Sequence, residues 1–131
     1  ASRMLQWYVE RFDTVEINST FYQLPSLPSV VGMLRKVEPG FTFVVKGHRD
    51  LTHSRDKAKL TLPRFHEMLK PYRADGKLGG VLLQFPPGFR ATKTSRDHLR
   101  WLGDHLTGTP TIVEFRHAEW ISLTPWTCYV S

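Results

Sequence analysis

Leu5, Tyr8, Val9 and Phe12 fall at i, i+3, i+4 and i+7, the spacing of an amphipathic helix, and the DTVEIN that follows alternates instead. Val30, Met33, Leu34 and Val37 return to the helical period until Pro39-Gly40 stops it, and FTFVVKG is rich in strand formers. Phe65, Met68, Leu69 and Tyr72 predict a third helix, and GGVLLQFPP a third strand closed by two prolines. Ser95 is the expected N-cap of a fourth helix carrying Leu99, Leu102 and Leu106, ahead of a fourth strand in TPTIVEFRH. The order is αβαβαβαβ. Such alternation with short, apolar strands predicts a parallel sheet covered by helices, in a doubly wound sheet or a (β/α) barrel. Neither G-x-G-x-x-G nor G-x-x-x-x-G-K-[ST] occurs, which favours the barrel. The expectation is a partial TIM (β/α)8 barrel, one domain-sized fragment of a larger one, since four strands are half of the usual eight.

Strand parity then sorts the polar residues. Residues two apart share a face, so Glu16 and Asn18 point together, as do Glu114 and Arg116. Lys46 shares a face with Val44 and Thr42, and Gln84 with Leu82. In every strand the polar group sits at the C-terminal end, and on a barrel these faces converge on the mouth where active sites lie. A structural alternative is a hydrogen-bonded polar layer, with Glu16 and Lys46 as one buried ion pair. The two glutamates come from strands too far apart to share a proton, although acid and base on opposite sides of a substrate stays open.

Charge adds a partner class. The 131-residue chain carries a net charge of +6 with pI near 9.8, which suits an anionic small molecule or nucleic acid. Half of that charge lies between Lys46 and Lys59, in KGHRDLTHSRDKAK, where Arg49 and Arg55 join Lys46 as candidate anion ligands. The alternative for this stretch is a solvated surface loop. His53 and His117 fall near the expected mouth, whereas His66, His98 and His105 fall in helices as surface or packing residues. No H-E-x-x-H or paired cysteines occur, so neither a metal site nor a cofactor is expected. Tyr22, Phe21 and Trp120 are candidate stacking surfaces, or loop anchors in the core. The single cysteine, Cys128, excludes an intrachain disulfide framework. Without a membrane-length apolar run or a signal-peptide layout, the expectation is a cytoplasmic protein with no membrane partner.

At these residues the chain resembles the YecE-like family, the domain of unknown function numbered 72. The matching segments are FDTVEINSTFYQLPS, FTFVVKGHRDLTH, GGVLLQFPPGF and VEFRHAEW, which together span most of residues 3 to 120. The resemblance implies a TIM barrel with Glu16, Asn18, Tyr22, Lys46, His53, Gln84, Glu114, Arg116, His117 and Trp120 at motif positions, and implies no particular reaction. The family's opening strand and its later half are absent, so the chain corresponds to about strands two to five, and the tail ISLTPWTCYVS departs from the helix expected there. Three functions stay open. One is an enzyme whose strand-end carboxylates Glu16 and Glu114, with Lys46, act on a phosphorylated or polyol-like substrate. The others are a nucleic-acid-binding or nucleic-acid-processing barrel and a noncatalytic binder of a small anion.

Overall fold

A computed structural model describes Leu5, Trp7 and residues 10–121. Four strands, β1 (Thr14–Ile17), β2 (Thr42–Lys46), β3 (Leu78–Gln84) and β4 (Thr111–Glu114), form one sheet in the order β1-β2-β3-β4. Every neighbouring pair is parallel. The helices are α1 (Leu27–Leu34), the short α2 (Arg49–Thr52), α3 (Ala58–Ala74) and α4 (Lys93–His105). Leu5, Trp7, Glu10 and Arg11 are helical too, as the opening spacing predicts, but Tyr8 and Val9 lie outside the described residues, as does the tail from Ser122.

A doubly wound sheet would reverse its strand order at a switch point. The sequential order here contains no reversal among the described residues, and the large buried strand side chains fall on one face. Phe43, Val45, Val81 and Leu83 are buried against the helices, while Glu16, Ile112 and Glu114 on the opposite parity are exposed. The predicted helical positions Phe65, Met68, Leu69 and Tyr72 all enter this core, with Tyr72 edge-on to Phe43 at 5.7 Å. Val30 and Leu34 of α1 join them. Lys77, buried just before β3, donates from Nζ to Leu34 O at 3.0 Å and so satisfies a carbonyl in the last turn of α1.

Three local expectations need correction. The N-cap of α4 is Thr92, whose hydroxyl accepts from Ser95 N at 3.2 Å; Ser95 is the third helical residue, because the capping oxygen must precede the amide it satisfies. Asn18 does not continue β1. It lies in the helical region (φ −91°, ψ −25°) at the position before the 3-10 turn Ser19–Phe21, without a side-chain capping hydrogen bond, so parity with Glu16 ends at Ile17. The stretch after β2 is not an irregular loop either. It folds into α2 and a 3-10 turn (Arg55–Lys57), with Leu51 and Thr52 fully buried while Arg49, Lys57 and Lys59 stay exposed. Asp50 locks it to α3 by accepting from Thr61 Oγ1 at 2.6 Å.

Gly47, between β2 and α2, shows how closely this connection approaches the sheet. A Cβ there would come within 2.6 Å of Leu83 Cδ2, a buried side chain with little room to yield. Gly47→Ala is therefore expected to lower unfolding stability by about 1–3 kcal/mol, measured by denaturant titration, through overpacking beneath the strand end.

Candidate functional site

The strand ends carry two polar groupings, and Phe21 organises the first. Thr20, fully buried in the turn after β1, donates from its hydroxyl to Lys46 O at 2.6 Å, with Ile17 O at 3.2 Å. This hydrogen bond ties the turn to the end of β2 and sets the neighbouring Phe21 ring in place. Lys46 Nζ lies 4.8 Å from the centroid of that ring, a cation–π contact. His53 and Tyr22 meet the same ring edge-on, at 4.9 Å and 5.0 Å. Tyr22 is 69% exposed, so its outer face is open to solvent.

The second grouping closes the ends of β3 and β4. Gln84 and Glu114 are register partners, and Gln84 Nε2 donates to Glu114 Oε1 at 3.0 Å. Arg116 Nε stands 3.7 Å from the same oxygen, as expected for residues two apart on one face. Phe115 between them turns the other way, onto Trp120 and Phe89.

Electrostatics links the two groupings. The His53 pKa is pushed below the usual histidine value first by loss of hydration and then by the positive charges of Lys46, Arg55 and Arg116. The residue is exposed as a whole, but its ring rests on Phe21 and its Nδ1 meets Thr52 Oγ1 at 2.7 Å. An imidazole kept neutral inside a cluster of cations can hold or accept a proton beside an anion. Lys46 makes no ion pair among the described residues, and neither does Glu16. The anticipated Glu16–Lys46 pair does not form because Glu16 is in register with Val44, two residues short of Lys46.

The remaining candidates are spread around this centre. Arg49 is exposed at the start of α2. Arg55 stacks on Phe89 at 4.7 Å and donates to Thr52 O at 3.0 Å, which holds its guanidinium beside the β2 end. His117 is a cap: its Nδ1 accepts from Glu119 N at 3.1 Å. Trp120 is only 1% exposed, stacks on Phe115 at 4.3 Å and donates from its indole to Phe89 O at 2.6 Å. It is a core anchor here rather than a free stacking surface. Glu16 and Glu114 stand on the two outer strands of the described sheet, with β2 and β3 between them.

Sequence reasoning passed over Thr20 and His48. Thr20 is the one buried polar residue of its turn, a signal hidden by an ordinary exposed-looking STF segment. His48 caps α2 by accepting from Asp50 N at 3.1 Å, a role suggested only by its position before R-D-L-T. Among the described residues no three His, Cys, Asp or Glu side chains gather closely enough to hold a metal ion, and no helix is long and apolar enough to cross a membrane.

The fold and strand-end site define an α/β protein built on a parallel four-stranded sheet. The chain belongs to the DUF72 family, described as protein of unknown function DUF72, which matches residues 1–129. It is similar to the UPF0759 protein YunF of Bacillus subtilis (strain 168), at 30% identity over 128 residues, covering 93% of this chain and 45% of that protein. Among solved structures, a DUF72 family protein of Thermotoga maritima MSB8 aligns with TM-score 0.77 at 34% identity, over 91% of this chain and 48% of that one. One from Enterococcus faecalis V583 aligns with TM-score 0.84 at 23% identity, over 92% and 51%. The chain thus spans about half the length of these relatives.

Removing the charge of Lys46 should raise the His53 pKa, because a cation that disfavours imidazolium is gone. NMR titration of Lys46→Met against the parent tests this; an unchanged or lower value would contradict the electrostatic link. The depressed pKa values of His53, His66 and His98 also have a stability consequence. Below about pH 6.5 the unfolded chain takes up protons that the folded chain resists. Stability should therefore be complete above that pH and fall as pH drops toward the folded pKa values, measured by thermal unfolding across the range.

Proposed function

We propose that the chain supplies strands two to five of a (β/α)8 barrel, and that the barrel is an enzyme acting at its strand-end mouth on an anionic, phosphorylated or polyol-like substrate. Lys46 and Arg116 hold the anion, Glu114 serves as the acid/base group, and His53 stands beside them as a neutral proton acceptor. The observation that carries this reading is the depressed His53 within reach of Lys46, Arg55 and Arg116, with Lys46 free of any ion pair among the described residues. Cations so arranged are poised for an external anion.

Register supports bringing Lys46 and Glu114 together. Lys46 pairs with Leu82 and, through it, aligns with Ile112, two residues before Glu114. A barrel with a shear of 8 advances about one residue per strand, so side chains from alternate strands meet in layers. That stagger would bring Lys46 level with Glu114 and leave Glu16 one layer deeper, beside Leu82. Gln84 would orient Glu114, and Asn18, Tyr22, Arg49 and Arg55 would border the substrate.

Inorganic phosphate, phosphosugars, polyols, nucleotides and short oligonucleotides form the test panel for thermal-shift measurements. The expected result is a shift with phosphorylated small molecules that disappears in Lys46→Met and Arg116→Met. Glu114→Gln should retain that shift but lose turnover by about 100-fold or more once a substrate is in hand. A shift that survives both cation substitutions would overturn the assignment. The nucleic-acid reading has one observation in its favour, the exposed Arg49 beside the basic α2 region. It predicts oligonucleotide binding that weakens steeply with salt.

A further inference from the structure

We propose that the strand-end site takes its anion as a dianion, the charge of a phosphomonoester rather than of a phosphodiester or a carboxylate, and that His53 takes up a proton as the anion enters. The proposal rests on the anion site above and adds the charge state of the ligand and the proton that accompanies it.

Charge counting selects the dianion. Lys46 and Arg55 form no ion pair among the described residues, whereas Arg116 Nε stands 3.7 Å from Glu114 Oε1. Three cations against one carboxylate leave two positive charges around a neutral His53. A dianion matches them, and a singly charged group leaves one cation uncompensated. Donors are also at hand. Lys46 Nζ rests on the Phe21 face at 4.8 Å, a contact that commits none of its N–H groups to a hydrogen bond. Arg55 commits one N–H to Thr52 O at 3.0 Å while its guanidinium carbon lies 4.7 Å over the Phe89 ring, so the group is held in place with further donors open.

His53 is set to respond. Its Nδ1 meets Thr52 Oγ1 at 2.7 Å, which leaves Nε2 as the open ring nitrogen of an exposed residue. Phe21 meets the imidazole edge-on, with Tyr22 against the same Phe21 ring. Lys46 acts on it from β2, Arg55 from the 3-10 turn after α2 and Arg116 from beyond β4, while its own helix carries Arg49 and Asp50. Asp50 is engaged with Thr61 Oγ1 at 2.6 Å, and the charges that dominate at the imidazole are all positive. A dianion cancels that field, where a monoanion cancels only part of it. The proton that the cations keep off the ring can then bind, and the imidazolium becomes a further cation beside the ligand. Proton and dianion therefore strengthen each other's binding by one and the same factor.

Sulfate and methyl sulfate are the probes, one a dianion and the other its singly charged analogue, and neither takes up a proton near neutral pH. Calorimetry of the parent chain in two buffers of different ionisation enthalpy counts the protons bound with each. Sulfate should bind about tenfold or more tighter than methyl sulfate. Its affinity should rise about tenfold as the pH falls from about 8 to about 5, since a rise of one pKa unit on binding is a tenfold gain in affinity. NMR titration should show the His53 pKa raised by about one unit in saturating sulfate and by less in methyl sulfate. In His53→Gln both the proton uptake and the pH dependence should vanish. Equal affinity for the two probes, a His53 pKa that sulfate does not move, or proton uptake that persists in His53→Gln would overturn the proposal. If Lys46→Met and Arg116→Met abolish sulfate binding but the parent takes up no proton, the anion site stands and the proposal falls. If sulfate does not bind, or binds undiminished in both variants, the anion site falls with it.

Discussion

Parallel pairing with one helix-covered face governs the molecule. Because side chains alternate along a strand, burying Phe43, Val45, Val81 and Leu83 under the helices obliges Lys46, Gln84 and Glu114 to point the other way. A slip of one residue would turn a charge toward the apolar core in β1, β2 or β4, and the Gln84 amide in β3. The same packing that stabilises the sheet therefore decides where its chemistry is displayed. Gly47 tightens this further, since its missing side chain lets the β2–α2 connection lie directly against Leu83.

The loops refine what the strands place. Thr20, Asp50 and Trp120 each use a hydrogen bond, partly buried for the first two and buried for Trp120, to pin a segment that carries no regular strand: the turn after β1, the start of α2 and the turn after β4. The polar residues near the strand ends consequently fall on short, well-tied elements. Arg55 is an example, because its position is set both by the Phe89 face and by the Thr52 carbonyl.

Much of this was legible in the amino-acid order. Period-two alternation located β1, short apolar runs rich in strand formers and bounded by Gly or Pro located the other three strands, and the i, i+3, i+4 spacing placed Phe65, Met68, Leu69 and Tyr72 on one buried face. Glu114 and Arg116 were rightly placed on a shared face. Parity failed at Asn18, where the chain leaves the extended region one residue earlier than the apolar run suggests. It also could not foresee that Glu16 and Lys46 miss each other, because register between strands depends on backbone pairing rather than on either strand's own pattern. Trp120 reads equally well as a binding surface or as core until the fold brings Phe89 and Phe115 against it. The cation–π contact of Lys46 was invisible for the same reason: it joins residues 21 and 46 through a turn whose shape depends on Thr20.

Phe21 is a shared wall for a charge and a titrating ring. Its face supports the Lys46 ammonium while its edge shields the His53 imidazole. A single rotation of that ring would move the ammonium and rehydrate the imidazole in one step, so cation placement and proton affinity are mechanically coupled. A ligand that displaces the ammonium from Phe21 would thereby retune the neighbouring histidine without touching it.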